Sequence, residues 1–127
     1  MTKSSKPDKK KMIIAEDDTV LALLLKFKLE NAGYIPLVAG NGKEALELIK
    51  KHQPDLVLCD ILMPLIDGLE VLSHVRNKMK LQTPFIMFSV EGQEETVMKA
   101  FSLGANDFVS KPFSPNELLI RINKMLQ

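Results

Sequence analysis

The chain has one cysteine, Cys59, so it can form no internal disulfide. It also has no long apolar run. The longest, Val20 to Leu25, is six residues, against the roughly 20 that a membrane-spanning helix needs. The lysine-rich start is followed by only four apolar residues, Met12 to Ala15, before Glu16. That is too short for the core of a secretion signal, and a cytoplasmic location is expected. No internal repeat is present, and no low-complexity segment beyond that start.

There is little net charge, +1 at neutral pH, but it is unevenly placed. Residues 1–11 carry five lysines against Asp8 and contribute +4, leaving −3 for the rest. A disordered, solubilising leader over 1–11 is the expected reading, with a nucleic-acid or membrane contact as the alternative. Residues 12–127 suffice for one domain with its own core. Apolar content of 46% and charged content of 26% are ordinary for a globular protein.

What the chain does have is short apolar runs that end on polar residues. Met12-Ile13-Ile14-Ala15 leads into Glu16-Asp17-Asp18. Leu56-Val57-Leu58-Cys59 ends on Asp60, and Phe85-Ile86-Met87-Phe88 on Ser89. Asp107 to Ser110 runs into Lys111-Pro112. Runs without polar alternation read as strands buried on both faces. Tyr34 to Ala39 supplies one more.

Helical patterns separate the strands. Val20, Leu23, Leu24 and Phe27 share a face behind the cap Asp18, and Gly33 stops that helix. Asn41 caps a second helix that runs to about Lys51, with Glu44 reaching back and Ala45, Leu48 and Ile49 inward. Leu69, Leu72, Val75 and Met79 mark a third, and a fourth spans about Gln93 to Leu103. Ser114-Pro115-Asn116-Glu117 opens the last, with Leu118, Ile122 and Met125 on one face. Strands alternating with helices predict an α/β fold with a five-stranded parallel sheet covered on both sides by five helices.

In such a sheet the strand ends face one edge, where ligands gather. Glu16, Asp17, Asp60, Ser89 and Lys111 should therefore meet. Asp60 alone could equally be a strand-end carboxylate satisfied by loop N–H groups. Three carboxylates together repel, which calls for a divalent cation, and oxygen ligands favour Mg²⁺. A lysine and a hydroxyl opposite suit a phosphoryl group. A carboxylate so placed can be the nucleophile that forms an aspartyl phosphate.

Four motifs in this order resemble the receiver domain of two-component response regulators: Ile14-Ala15-Glu16-Asp17-Asp18, Leu58-Cys59-Asp60-Ile61-Leu62-Met63-Pro64 with Asp67-Gly68, Met87-Phe88-Ser89, and Ser110-Lys111-Pro112-Phe113. The resemblance covers residues 12 to 126. It implies a flavodoxin-like, doubly wound sheet of strand order 2-1-3-4-5. It implies that Asp60 accepts a phosphoryl group from a histidine kinase or phosphotransfer protein. Asp17, Glu16, Asp60 and the backbone carbonyl of Leu62 would hold Mg²⁺. Ser89 and Lys111 would contact the phosphoryl group, and Ser89 and Phe108 would carry the switch. The Lys111-Pro112 peptide, often cis in the family, would direct the lysine.

Some positions depart from the family pattern or stay open. Val90 stands where a small residue is common, and Leu62 and Glu91 occupy positions that tune phosphoryl lifetime. Asp107, Glu117 and Arg121 match charges that pair between subunits in one group of dimeric receivers. Val97 replaces the basic residue that would complete that set, and with Met98 it adds apolar surface. A partner on the face of the fourth helix, fifth strand and fifth helix is therefore expected, with weak homodimerisation. Neither nucleic acid nor membrane is expected to contact the folded domain.

His52 and His74 read as surface residues. Met79, Met87, Met98, Met125 and Cys59 read as packing, and Asp67 as a turn residue. Nothing beyond self-phosphorylation and self-dephosphorylation is expected as catalysis. The chain reads as a single-domain regulator or as the receiver of a longer DNA-binding regulator or hybrid kinase. The competing reading, a Mg²⁺-dependent phosphatase with an aspartyl nucleophile, needs Asp where Glu16 stands. A receiver-like module that works without phosphorylation is opposed by the complete set of five site residues.

Overall fold

The computed structural model describes residues 9–90 and 93–127. The elements alternate strictly: β1 (Lys11–Ala15), α1 (Thr19–Asn31), β2 (Ile35–Ala39), α2 (Gly42–His52), β3 (Leu56–Asp60), α3 (Gly68–Asn77), β4 (Phe85–Ser89), α4 (Glu94–Ser102), β5 (Asp107–Ser110) and α5 (Pro115–Met125). The strands form one parallel sheet in the order β2-β1-β3-β4-β5, as expected. β1 starts one residue earlier than the apolar run, taking Lys11 from the leader.

The uninterrupted apolar runs divide between two cores because successive side chains point to opposite faces. Ile13, Ala15, Val57, Cys59, Phe85 and Met87 pack with α2 and α3 residues such as Ile49 and Leu72. Met12, Ile14, Leu56, Leu58, Ile86 and Phe88 pack with Leu25 and Leu29 of α1 and Leu118 and Ile122 of α5. Each such side chain contributes about 1.5–3 kcal/mol on burial.

The helix starts are closed by their own side chains. Asp18 accepts from the N–H groups of Val20 and Leu21. Asn41 accepts from Glu44 N–H at 2.9 Å, but the Glu44 carboxylate reaches Gly40 N–H at 2.6 Å rather than the cap itself. Asp67 and Glu70 form a full capping box. Gly68 allows that helix to start against β3: a Cβ there would lie 2.2 Å from the Asp60 carbonyl oxygen.

One helix departs from the simple pattern. Val20, Leu23, Leu24 and Phe27 do share a face of α1, but it is the outer one, 49–75% exposed. Ala22, Leu25 and Leu29 make the buried face. The helix is apolar on both sides, so periodicity alone could not choose which side faces the sheet. Met98 is also exposed rather than packed, while Val97 is half-buried. Among the described residues, no helix is long and apolar enough to cross a membrane.

Candidate functional site

Sheet register assembles the site. Ala15 pairs with Cys59, Asp60 with Phe88, and Ser89 with Ser110. The residues at or just past these rows are Glu16, Asp60, Ser89 and Lys111. The ladder continues a little beyond the strands: Glu16 N–H donates to Ala39 O at 3.0 Å and Lys111 N–H to Ser89 O at 2.8 Å. All four thus lie at one end of the sheet, as the strand-end argument requires.

Glu16 is 2% exposed, Asp60 4% and Ser89 fully buried, whereas Asp17 is open to solvent. Lys111 Nζ lies 2.7 Å from Glu16 Oε1 and 2.6 Å from Asp60 Oδ2. The other carboxylate oxygens take backbone donors: Asp18 N–H to Glu16 Oε2 at 3.0 Å, and Leu62 N–H to Asp60 Oδ1 at 3.1 Å. Lys111 also sits 5.3 Å from the centroid of the Phe88 ring, a geometry in which the ring face favours a cation. The Lys111-Pro112 peptide is cis.

The carboxylates of Glu16, Asp17 and Asp60 come within 4.8 Å of one another. With all three ionised, Lys111 compensates one charge and leaves two. Burial pushes the Glu16 carboxyl above its ordinary value; the Lys111 and Asp18 hydrogen bonds oppose this only partly, and the Asp60 charge adds to it. Burial alone would lower Lys111, but its hydrogen bonds to Asp60 and Glu16 outweigh that and hold it above its ordinary value. A double negative charge on hard oxygens, one of them exposed to solvent, fits a hydrated divalent cation.

The chain is matched over residues 12–123 by the model of the response regulator receiver domain. It belongs to that family. The receiver is 35% identical over 118 residues to the alkaline phosphatase synthesis transcriptional regulatory protein PhoP of Bacillus subtilis, covering 93% of this chain and 49% of that protein. It thus spans about half the length of that relative. Its fold is similar to that of the Francisella response regulator 1452 receiver domain: TM-score 0.87, 37% identity, 92% of this chain and 96% of the other. It is similar also to a CheY-like receiver domain protein from Methanospirillum hungatei JF-1: TM-score 0.89, 29% identity, 94% of each chain. The protein is a receiver domain of two-component signalling, a signalling module.

The remaining residues singled out in the receiver sequence fall in several places. Phe108 lies in β5 opposite Met87, half-buried against the sheet. Asp67 is a helix cap rather than a member of the acidic cluster. His74 is exposed and His52 half-buried, and Cys59 is fully buried in β3. Glu91 lies outside the described residues.

Arg121, expected to match charges that bridge subunits, is occupied within its own chain. Its guanidinium meets Asp107 at 2.9 Å and Glu117 at 3.0 Å. Sequence reasoning missed the apolar rim. Leu62, Leu65 and Val90, all in loops at this end, are 55–76% exposed. Leu65 holds a φ of +72°, a left-handed conformation that a branched side chain adopts at a cost of about 1–3 kcal/mol. Its neighbours Pro64 and Asp67 signal a loop, but nothing in their sequence signals that conformation.

Proposed function

We propose that Asp60 is the phospho-acceptor of a Mg²⁺-dependent switch, phosphorylated by a histidine kinase or phosphotransfer protein. The observation that carries this is the convergence of Glu16, Asp17 and Asp60 within 4.8 Å of one another, with Lys111 on Asp60. Glu16, Asp17, Asp60 and the Leu62 carbonyl would hold the ion. When bound, Mg²⁺ would neutralise the phosphoryl oxygens and the crowded carboxylates.

The chemistry of the chain's own residues is simple. A carboxylate oxygen of Asp60 attacks phosphorus, the P–N bond of the donor phosphohistidine breaks, and the imidazole leaves with the bonding pair. Lys111 moves from the free carboxylate to the phosphoryl oxygens, so its charge is never unpaired. The Ser89 hydroxyl, buried at the end of β4, then turns to the phosphoryl group and Phe108 moves inward. The signal passes to the face made by α4, β5 and α5.

Two surfaces fit the partners this requires. The uncovered stripe Val20, Leu23, Leu24 and Phe27 begins two residues past the α1 cap, beside the acidic cluster. A hollow of about 280 Å³ joins Glu16 and Asp17 to Leu23 and Val38. A donor helix with an apolar face would cover both. On the output side, Met98, Phe101 and Ile120 are exposed on α4 and α5, and Arg121 is already paired. That favours a protein partner over a tight homodimer.

Incubation with acetyl phosphate and Mg²⁺ tests the reading: one added phosphoryl group is expected by intact-mass measurement, and none in Asp60→Asn. Labelling that persists in Asp60→Asn would overturn it.

A further inference from the structure

The end of the sheet opposite the acidic site is rich in exposed lysine. Lys9, Lys10 and Lys11 enter β1 there, Lys50 and Lys51 end α2, and Lys78 and Lys80 follow α3; all are exposed. The carboxylates at this end among the described residues are Glu30 in the last turn of α1, Asp107, which Arg121 holds, and, nearest the lysines, Asp55, which is already engaged. Its Oδ2 accepts from Lys11 backbone N–H at 2.8 Å, and its own N–H donates to Lys11 O at 2.8 Å. The four ion pairs among the described residues involve only Lys111 and Arg121, so none of the seven lysines has a charged partner there.

The lysines are held together by the fold. Lys10 O accepts from Ile35 N–H at 2.9 Å and so fixes that residue beside β2. The Lys11–Asp55 pair ties the start of β1 to the start of β3, immediately after the end of α2. From there a hollow of about 390 Å³ runs between α2 and α3, lined by Lys50, Gln53, His74, Lys78, Met79 and Leu81. The favourable interaction of cations with helix C-termini accounts for Lys50 and Lys51. It does not account for Lys9, Lys10, Lys11 and Lys80, which lie outside the helices. Lys80 even holds a left-handed φ of +58°.

We propose that this edge binds the phosphate backbone of nucleic acid, without regard to sequence. The seven exposed ammonium groups supply the positive charge and hydrogen-bond donors that phosphate contact requires. A lipid surface fits less well. Among the described strand and loop residues here, Ile35 is the only large apolar side chain that is exposed, and Met79 and Leu81 are half-buried. Five-residue strands set the two ends about 16 Å apart, roughly two Debye lengths at physiological salt. The acidic site therefore neither repels the polyanion nor is blocked by it.

Fluorescence anisotropy with a short labelled DNA duplex of mixed sequence tests this on the full chain. Binding is expected at about 50 mM salt, with about a 100-fold loss by about 200 mM for some four phosphate contacts. Lys50→Glu with Lys78→Glu should weaken binding about tenfold or more at low salt, with unchanged melting. Lys43→Glu, at the opposite end, should leave it unaltered. Absence of binding at low salt, or equal losses from Lys43→Glu and the double variant, would overturn the proposal. Retention on phosphatidylserine vesicles without duplex binding would assign the edge to membranes and overturn it equally.

Discussion

Lys111 and Asp60 form the shortest ion pair among the described residues, Nζ to Oδ2 at 2.6 Å, and the same ammonium holds Glu16. One cation thus stands between two buried carboxylates supplied by different strands. Its removal leaves both without their counter-charge. Lys111→Met should cost about 2 kcal/mol or more in Mg²⁺-free buffer, from the loss of charged hydrogen bonds. Added Mg²⁺ should recover more stability in the variant than in the parent. Urea denaturation with and without the ion measures both effects, and equal stabilities would show that the pair is not what secures the site.

The raised Glu16 carboxyl gives a pH dependence with a definite sign. Between its ordinary value of 4.5 and its raised folded value, the folded chain holds a proton that the unfolded chain has lost. That contribution to stability is fully present below 4.5 and is lost as pH rises through the folded value. Mg²⁺ must displace the same proton. Its stabilising effect should fade as pH falls through a point above 4.5. Melting curves across that range, with and without Mg²⁺, check this; Asp17→Ala should remove the Mg²⁺ shift at every pH.

The two faces of α1 should behave oppositely on mutation. Leu24→Gln and Phe27→Gln, on the exposed stripe, should change stability by less than about 0.5 kcal/mol. Leu25→Ala, on the buried face, should cost about 2–5 kcal/mol. The exposed-face variants should accept phosphoryl from acetyl phosphate normally and from a protein donor slowly. Denaturation and donor-dependent labelling separate the two effects; a large loss of stability in Phe27→Gln would mean that the stripe is packed.

The contrast within α1 shows what the amino-acid pattern could and could not tell. Strands buried on both faces are written as unbroken apolar runs, and a parallel sheet sends every strand end to one edge. That edge is therefore where the pattern alone places Glu16, Asp60, Ser89 and Lys111. α1 carries apolar residues on both faces, and the spacing of either set satisfies a helix. Only packing against Ile14 and Leu58 decides between them. The left-handed Leu65 has no local signature either. The Arg121 charges were recognisable as partners, but the pattern could not say that they meet within one chain.

That intrachain pairing bears on assembly. Hydrogen bonds to Asp107 and Glu117 hold Arg121 above its ordinary value, and exchanging these partners across a two-fold axis would first break both. The beryllofluoride-treated protein should remain largely monomeric in light scattering, and Arg121→Ala should leave its mass unchanged. A tight dimer dissolved by that substitution would show the pairing to be between subunits.

The central claim is that Asp60 is the acceptor and that the acidic cluster makes it competent. Phosphoramidate, a small donor with the same P–N bond as phosphohistidine, tests it without a kinase. Intact-mass measurement of the parent chain with Mg²⁺ should show one phosphoryl group. None should appear with EDTA, in Asp60→Asn, or in Asp17→Ala. Equal labelling with and without Mg²⁺, or a phosphoryl group retained by Asp60→Asn, would contradict the account.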